Sequence, residues 1–223
     1  MVTLTMPGID NAAVLFGTTG VDNLNGGIGN DVIDGLVGAD TMAGGFGNDT
    51  FFVDSAGDVV TENGGEGVLD EIRTGLASYS IAALPNVENL VGLSSLGQVL
   101  TGSSVPNIIV GGNGSDTLNG GAAADTMIGN GGDDTYFVDN VGDQAIEAAG
   151  GGLFDQVRSS VNFTLGDHVD RLTLTGTGEI DGTGNALNNV ITGNGAANRL
   201  DGGLGADKMR GGGGNETHVV ERA

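Results

Sequence analysis

Cysteine and tryptophan are absent from this chain of 223 residues, and aromatic residues make up only 4% of it. Without cysteine the chain can form neither a disulfide framework nor a thiolate metal site. No stretch is long and apolar enough to cross a bilayer. Residues 1–7 lack the basic region and the apolar run of a secretory signal peptide. The sequence therefore predicts no disulfide, no membrane span and no cleaved leader at its N-terminus.

Basic residues are also scarce, since 7 Lys and Arg face 29 Asp and Glu, for a formal net charge of −22. A chain this acidic repels nucleic acid and anionic membranes, and its natural partners are cations. Only two histidines occur and they are isolated, which disfavours a site for soft metals. No metalloprotease, serine-hydrolase or phosphate-loop motif is found, so we expect no catalytic activity.

Glycine is abundant instead, with 45 residues, and much of it follows a nine-residue period. Residues Gly26–Asp34 show the pattern G-G-x-G-x-D-x-U-x, where U is a large apolar residue. Position six is Asp, Asn or Glu in every unit, and position eight is apolar in all but the last. The twelve units begin at Gly17, Gly26, Gly35, Gly44, Gly102, Gly111, Gly120, Gly129, Gly184, Gly193, Gly202 and Gly211.

This period predicts an all-β fold, a parallel β-roll or β-solenoid with glycine-rich loops. Positions seven to nine would form a short strand whose eighth side chain points inward, because side chains alternate along a strand. Two units would make one coil of eighteen residues with a loop on each side. Loops two units apart would then stack on each other.

The loops have the chemistry of a calcium site. Glycines at positions one, two and four allow backbone angles that turn carbonyls inward, and position six adds a carboxylate; both are hard oxygen ligands that suit Ca²⁺. Repeats of this form are a known signature of calcium-binding parallel β-helices. A single Asp could instead cap a turn without metal, but eight in register favour several calcium ions. The predicted ligands are Asp22, Asp31, Asp40, Asp49, Asn107, Asp116, Asp125, Asp134 and Asp207.

Stacking of the loops predicts which of these residues meet. The expected pairs are Asp22 with Asp40, Asp31 with Asp49, and Asp116 with Asp134. Weaker pairs, in which one partner is a neutral amide, are Asn107 with Asp125 and Asn189 with Asp207; the poorest is Asn198 with Glu216.

A longer repeat divides the chain into blocks and spacers. Phe52-Val53-Asp54 recurs as Phe137-Val138-Asp139, an offset of 85, and Glu62 and Asp70 match Glu147 and Asp155 at the same offset. The spacers contain short alternating runs typical of half-buried strands, and we interpret them as less regular coils of one solenoid. Two independent β-modules are the alternative. The predicted divisions are an N-terminal cap (1–16), glycine block 1 (17–52), a β spacer (53–101), block 2 (102–137), a second spacer (138–183) and block 3 with an irregular end (184–223).

These motifs resemble those of the RTX (repeats-in-toxin, haemolysin-type) calcium-binding proteins of bacteria. The resemblance is carried by Gly26–Asp34, Gly44–Phe52, Gly111–Asn119 and Gly202–Arg210. It implies a right-handed parallel β-roll that acts outside the cell, secreted or on the bacterial surface. Family members leave through a type I exporter that reads an uncleaved C-terminal signal, and they fold on meeting calcium. Here Glu216 and His218 depart from the pattern, and the chain stops without a longer tail.

We therefore expect a non-catalytic, calcium-induced folding module of a secreted bacterial RTX protein. One alternative is an adhesin or a module that binds extracellular polysaccharide through a flat solenoid face. Another is the C-terminal tail of a larger secreted enzyme. An ice-binding solenoid would need regular outward rows of threonine, and these are patchy.

Overall fold

The computed structural model describes residues 3–5 and 12–220 of the chain. Every regular element in these ranges is a short β-strand, and all strand pairs are parallel. The strands wind into a β-solenoid of about 12 turns, which confirms the predicted all-β, parallel architecture. None of the described residues forms a helix that could cross a membrane.

The strands form four sheets. The first contains β1 (Thr3–Thr5), β3 (Asn23–Ile28), β5 (Thr41–Phe46) and β7 (Val59–Thr61). The second contains β2 (Val14–Phe16), β4 (Val32–Asp34), β6 (Thr50–Val53), β8 (Glu71–Thr74), β10 (Asn89–Gly92), β12 (Ile108–Val110), β14 (Thr126–Ile128) and β16 (Gln144–Ile146). The third contains β9 (Ser78–Ser80), β11 (Val99–Thr101), β13 (Thr117–Asn119), β15 (Thr135–Val138), β17 (Gln156–Ser159), β19 (Arg171–Leu174), β21 (Val190–Thr192) and β23 (Lys208–Arg210). The fourth contains β18 (Phe163–Thr164), β20 (Gly182–Thr183), β22 (Arg199–Asp201) and β24 (Thr217–Val219).

Each strand pairs with the strand two places along the chain, so odd-numbered and even-numbered strands build different sheets. Leu15 pairs with Ile33, and Leu24 pairs with Met42, both at a spacing of eighteen residues. Two nine-residue units therefore make one coil, as the repeat predicts. One edge of the solenoid consists of the loops before even-numbered strands, and the other consists of the loops before odd-numbered strands.

The core is a narrow column of side chains from the eighth position of each unit. Leu24, Ile33, Met42 and Phe51 have no exposed surface. Further buried members are Ile109, Leu118, Met127, Tyr136, Ile191 and Leu200. The column ends in the last block, because Met209 is only partly buried and His218 is exposed. Each coil thus buries few large side chains, and hydrophobic burial stabilises it only modestly.

The spacers extend the same sheets, since β8 pairs with both β6 and β10, and β17 pairs with both β15 and β19. Each spacer contains a long coil whose loop (62–70 or 147–155) holds three extra residues. The backbone N–H of Asp49 donates to the side chain of Asp70, and that of Asp134 donates to the side chain of Asp155. These partners are 21 residues apart in the sequence rather than 18. The first sheet ends at β7 and the second sheet ends at β16, beside these long loops.

The 85-residue repeat places equivalent parts of the two long coils on opposite edges. It carries β6 onto β15 and β8 onto β17, nine strands later in each case. Nine is odd and each coil has two strands, so an even-numbered strand becomes an odd-numbered one. A loop on one edge in the first half therefore corresponds to a loop on the other edge in the second half.

Candidate metal centres

Acidic side chains line both edges of the solenoid in hydrogen-bonded columns. The residue at position six lies immediately before a strand. One carboxylate oxygen of an aspartate at this position accepts the backbone N–H of the matching residue one coil earlier. The predicted acidic pairs meet in this way, with Oδ1 of Asp40, Asp49 and Asp134 at 2.8, 2.6 and 2.6 Å from the nitrogens of Asp22, Asp31 and Asp116.

The weaker predicted pairs join the same columns. Oδ1 of Asp125 lies 2.8 Å from the nitrogen of Asn107, and Oδ1 of Asp207 lies 2.9 Å from that of Asn189. In the last predicted pair, the side-chain amide of Asn198 donates to the carbonyl of Ile180 (2.7 Å).

Further aspartates outside the twelve glycine units belong to the columns and were missed from the sequence, and four of them recur as two pairs in the longer repeat. Their Oδ1 atoms accept N–H bonds from the neighbouring coil over 2.7–3.0 Å. They are Asp58, Asp70, Asp143 and Asp155. Their recurrence at an offset of 85 was the signal that could have revealed them.

The second carboxylate oxygen of many column residues is buried and has no hydrogen-bond partner among residues 3–5 and 12–220. This holds for Oδ2 of Asp31, Asp40, Asp49, Asp70, Asp125 and Asp134. A buried polar atom without a partner is costly and needs an explanation such as an ion. Oxygens of this type are the ligands that calcium prefers, so the residues present fit the predicted metal.

The loops form a tight cradle around these oxygens. A Cβ added at Gly26 would collide with the carboxylate of Asp31 and would lie 2.7 Å from the carbonyl oxygen of Gly44. The first glycine of the unit is therefore required by the close approach of two oxygens, one from its own unit and one from the next coil.

In several loops a positive backbone φ at position two accompanies a free oxygen at position six. Where φ is positive, as at Gly27, Leu36 and Gly45, the carboxylate at position six keeps an unpartnered Oδ2. The same holds for Gly121 with Asp125.

Other loops are closed by a local hydrogen bond. The N–H of Thr18 donates to Asp22 (2.5 Å), and the N–H of Gly112 donates to Asp116 (2.6 Å). The Asn107 side chain accepts from the N–H of Ser103 (2.6 Å), and its own nitrogen donates to two backbone carbonyls of the preceding coil. The side-chain amide of Asn107 thus closes its own loop through hydrogen bonds. These contacts favour a closed loop over a loop in which Asn107 binds a cation.

Burial raises the pKa values of several column carboxyl groups, among them Asp49 and Asp134. For Asp49 the pKa rises to about 6, with burial the largest cause and the charges of Asp31 and Asp70 adding to it. For Asp134 the pKa rises to about 7, again mainly through burial, with Asp116 and Asp155 as charged neighbours. A bound cation would offset the burial and the charge repulsion that disfavour the ionised form of these two carboxyl groups.

Comparison with known proteins agrees with this geometry. The family model of the RTX calcium-binding nonapeptide repeat (4 copies) matches residues 16–51, 101–136 and 183–215. No curated protein matches the chain. The matched stretches contain eleven of the twelve sixth positions, from Asp22 to Asp207, so the acidic columns of the edges and the family's repeat coincide.

Proposed function

Because this chain belongs to the RTX family of calcium-binding repeat proteins, we propose that it is a calcium-induced folding module of a secreted bacterial protein. Its β-solenoid is a calcium-binding module. The proposal extends this to the role of calcium, the place where the chain acts and the absence of catalysis.

The observation that carries the proposal is the pair of acidic columns. Each carboxylate accepts the backbone N–H of the acidic residue one coil earlier, as Asp49 does from Asp31 and Asp134 from Asp116, and many carry a buried, unpartnered oxygen. Like charges held this close repel one another in a medium of reduced dielectric. Within the described part of the chain, the two ion pairs formed by Arg or Lys, Arg73–Glu71 and Arg199–Asp201, involve strand residues outside the columns. The positive charge must therefore come from a bound cation or from protons.

Calcium supplies that charge when it is bound. The chain's residues then do the positioning: the N–H bonds hold each carboxylate in the loop, and the glycines let backbone carbonyls approach it. Since such a site does not exist in the unfolded chain, the free energy of binding contributes directly to folding. The narrow core makes this contribution decisive.

A folding step driven by calcium suits a protein that acts outside the cell. Extracellular calcium modules work at about 10⁻⁴–10⁻³ M, so a chain with sites of this kind folds where calcium is plentiful. The RTX family is typically one of secreted proteins. We propose type I export machinery as the route, and folding after export as the role of the module.

Circular dichroism during a calcium titration tests the proposal. The purified chain, stripped of metal with EGTA, should lack β-structure, gain it cooperatively with calcium, and lose it again on addition of EGTA. Magnesium, which demands a smaller and more regular shell, should not replace calcium. If the metal-free chain already shows the full β-signal and calcium leaves it unchanged, the proposal is wrong.

Binding of an extracellular polysaccharide stays a second prediction. An open row of exposed aromatic side chains would favour it. The exposed rings of Phe16, Phe46 and Phe137 lie in three different sheets. The rings of Phe52, Phe137 and Phe154 are covered by the guanidinium groups of Arg73, Arg158 and Arg171 at 5.9, 5.5 and 4.5 Å. They do not make the open stacking row that a sugar chain would use.

A further inference from the structure

Each long coil places a buried glutamate beside two column aspartates. In the first half, Glu62 joins Asp49 and Asp70, and one carboxylate oxygen from each lies within 4.8 Å of the others. We call this group the first carboxylate cluster. All three side chains are at least nine-tenths buried, with exposed fractions of 0%, 9% and 1% for Asp49, Glu62 and Asp70.

The second half contains the equivalent group on the opposite edge. Glu147 joins Asp134 and Asp155 with the same separation of at most 4.8 Å between their ligand oxygens. This second carboxylate cluster is also buried, since the exposed fractions of Glu147, Asp134 and Asp155 are 7%, 1% and 1%.

The glutamates stand where the regular units have their first glycine. Glu62 follows Gly44 by eighteen residues, and Glu147 follows Gly129 by the same spacing. The three extra residues of the long loop then carry the chain round to Asp70 or Asp155. A long coil therefore replaces a glycine by a carboxylate and keeps the aspartate, so three acidic side chains meet instead of two.

Free oxygens point into both clusters. In the first, Oδ2 of Asp49, Oε2 of Glu62 and Oδ2 of Asp70 are buried and have no partner within the described ranges. In the second, the same is true of Oδ2 of Asp134 and Oε2 of Glu147. The remaining oxygens are held in place: Oε1 of Glu62 accepts the N–H of Gly44 (3.0 Å), and Oε1 of Glu147 accepts the hydroxyl of Tyr136.

We propose that each carboxylate cluster is a calcium site of its own kind, with three carboxylates, and that these two sites bind calcium more tightly than the glycine loops. The proposal deepens the calcium-binding function and rests on it. Calcium takes mono- or bidentate carboxylates in shells of six to eight oxygens, and its affinity rises with the charge of the ligands. A set of hard oxygens without histidine or cysteine disfavours softer metals.

A proton shared among the carboxyl groups is the competing explanation for their close approach. Burial is the largest cause that raises the pKa of both glutamates to about 8, and the neighbouring aspartates add to it. A group that keeps its proton in the presence of calcium would not bind the ion. The experiment must therefore detect a metal at the cluster itself.

Terbium luminescence provides such a readout, because Tb³⁺ takes the same hard oxygen ligands and is excited by energy transfer from a nearby tyrosine. The chain has no Trp and only two Tyr residues, and the hydroxyl of Tyr136 contacts Glu147. Excitation of the folded protein at the tyrosine band, with Tb³⁺ added in place of calcium, should give emission from the second cluster. Tyr136→Phe should remove it, and Tyr79→Phe should leave it.

The glutamate variants then localise the ion. Glu147→Gln should reduce the emission to the level of Tyr136→Phe, whereas Glu62→Gln and the exposed control Glu179→Gln should leave it unchanged. In the double variant Phe51→Tyr/Tyr136→Phe the sensitiser moves to the first cluster, and emission should now depend on Glu62 and not on Glu147. Phe51 and Tyr136 occupy equivalent core positions, so both changes fit the fold.

Retained calcium gives an independent count. After gel filtration in buffer without added calcium, Glu62→Gln and Glu147→Gln should each hold one ion fewer than Glu179→Gln, measured by mass spectrometry of the metal. Circular dichroism in saturating calcium shows that each variant is folded, and Glu62→Asp and Glu147→Asp, which keep the charge, should retain more calcium than the Gln variants.

The outcomes separate the two proposals. If the wild-type chain neither folds with nor retains calcium, the calcium-induced folding module is wrong. If it does both, but Glu147→Gln matches Glu179→Gln in emission and both Glu62→Gln and Glu147→Gln match it in retained calcium, the clusters hold protons rather than ions and this inference is overturned.

Discussion

The two long coils hold their buried glutamates in place with different hydrogen bonds. In the first, the core residue is Phe51 and the backbone N–H of Gly44 holds Glu62 (3.0 Å). In the second, the core residue is Tyr136 and its hydroxyl takes over that role for Glu147, while the N–H of Gly129 donates to the carbonyl of Ile146 (3.2 Å). The three carboxylates are the same in both.

This difference shows which parts of the coil are interchangeable. The donor that orients the glutamate can be a backbone amide or a side-chain hydroxyl, because either satisfies one oxygen and leaves the other free. The meeting of three buried carboxylates is kept even though the clusters lie on opposite edges of the solenoid. The arrangement therefore belongs to the long loops 62–70 and 147–155 and not to one face of the molecule.

The largest expected effect is that of pH on the metal-free chain, and it should affect both clusters alike. The pKa values of Glu62 and Glu147 are raised from 4.5 to about 8 in the folded state, mainly by burial, so the folded state binds protons more tightly than the unfolded state. The free energy of unfolding should then fall as pH rises through about 8 and be highest below the ordinary value of 4.5. Circular dichroism without calcium should show more β-structure at a pH of about 5 than at about 9.

Calcium should reverse this dependence, because binding displaces the protons. Calcium affinity should fall as the pH is lowered below 8, and binding at neutral pH should release protons, measured as a buffer-dependent heat in calorimetry. A metal-free chain that gains β-structure as the pH rises would contradict the predicted sign.

Filling the glycine cradle should be nearly as damaging in either half. A Cβ at Gly44 would collide with Asp49 and Glu62, and one at Gly129 with Asp134, Glu147 and Tyr136. Gly44→Ala and Gly129→Ala should each lower the free energy of unfolding in calcium by about 1–3 kcal/mol, the usual cost of overpacking. Urea denaturation at fixed calcium gives this value.

Gly75→Ala is the matched control, since a Cβ there meets nothing within 4 Å. It should be neutral or slightly stabilising, by at most about 1 kcal/mol through the entropy of the unfolded chain. Equal losses for Gly75→Ala and Gly44→Ala would show that the close approach of the carboxylates does not matter.

Tyr136→Phe sharpens the comparison, because it makes the second cluster chemically like the first. It removes the hydroxyl that donates to Glu147 and should cost about 1 kcal/mol of unfolding free energy. Phe51→Tyr should be neutral or stabilising, since it offers Glu62 a second donor. Urea denaturation of both variants in calcium tests this, and a larger loss for Phe51→Tyr than for Tyr136→Phe would contradict the equivalence of the coils.

The smallest effect is expected at the outer surface, where the halves differ by one ion pair. Arg73 pairs with Glu71 (2.5 Å) and lies over Phe52, whereas Arg158 lies over Phe137 beside Gln156. Glu71→Gln copies the second half and should change the free energy of unfolding by less than about 1 kcal/mol, as is usual for exposed pairs. A larger change in urea denaturation would give this pair a role that its exposure does not suggest.

The sequence by itself determined the solenoid and its edges. A nine-residue period with an apolar eighth position predicts that Leu24 and Ile33 point inward and that two units close a coil. The acidic sixth positions then follow at the loops, which is why Asp31 with Asp49 and Asp116 with Asp134 could be paired in advance.

Only the tertiary structure decided which oxygens are free. The sixth residues Asp116 and Asp134 are alike in sequence, yet the N–H of Gly112 closes one loop while positive φ at Asn130 opens the other. That choice depends on how neighbouring coils stack, and the nine-residue pattern does not encode it.

The tertiary structure also decided that Glu62 and Glu147 meet the column aspartates in buried clusters. Each lies thirteen residues from its column aspartate, Asp49 or Asp134, and outside the regular period, so the repeat assigns them no role. They meet the aspartates because three extra residues carry the loop outward before it rejoins the sheet. The physical reason is that the paired strands fix both ends of each long loop. Only the path of the chain between these ends can vary.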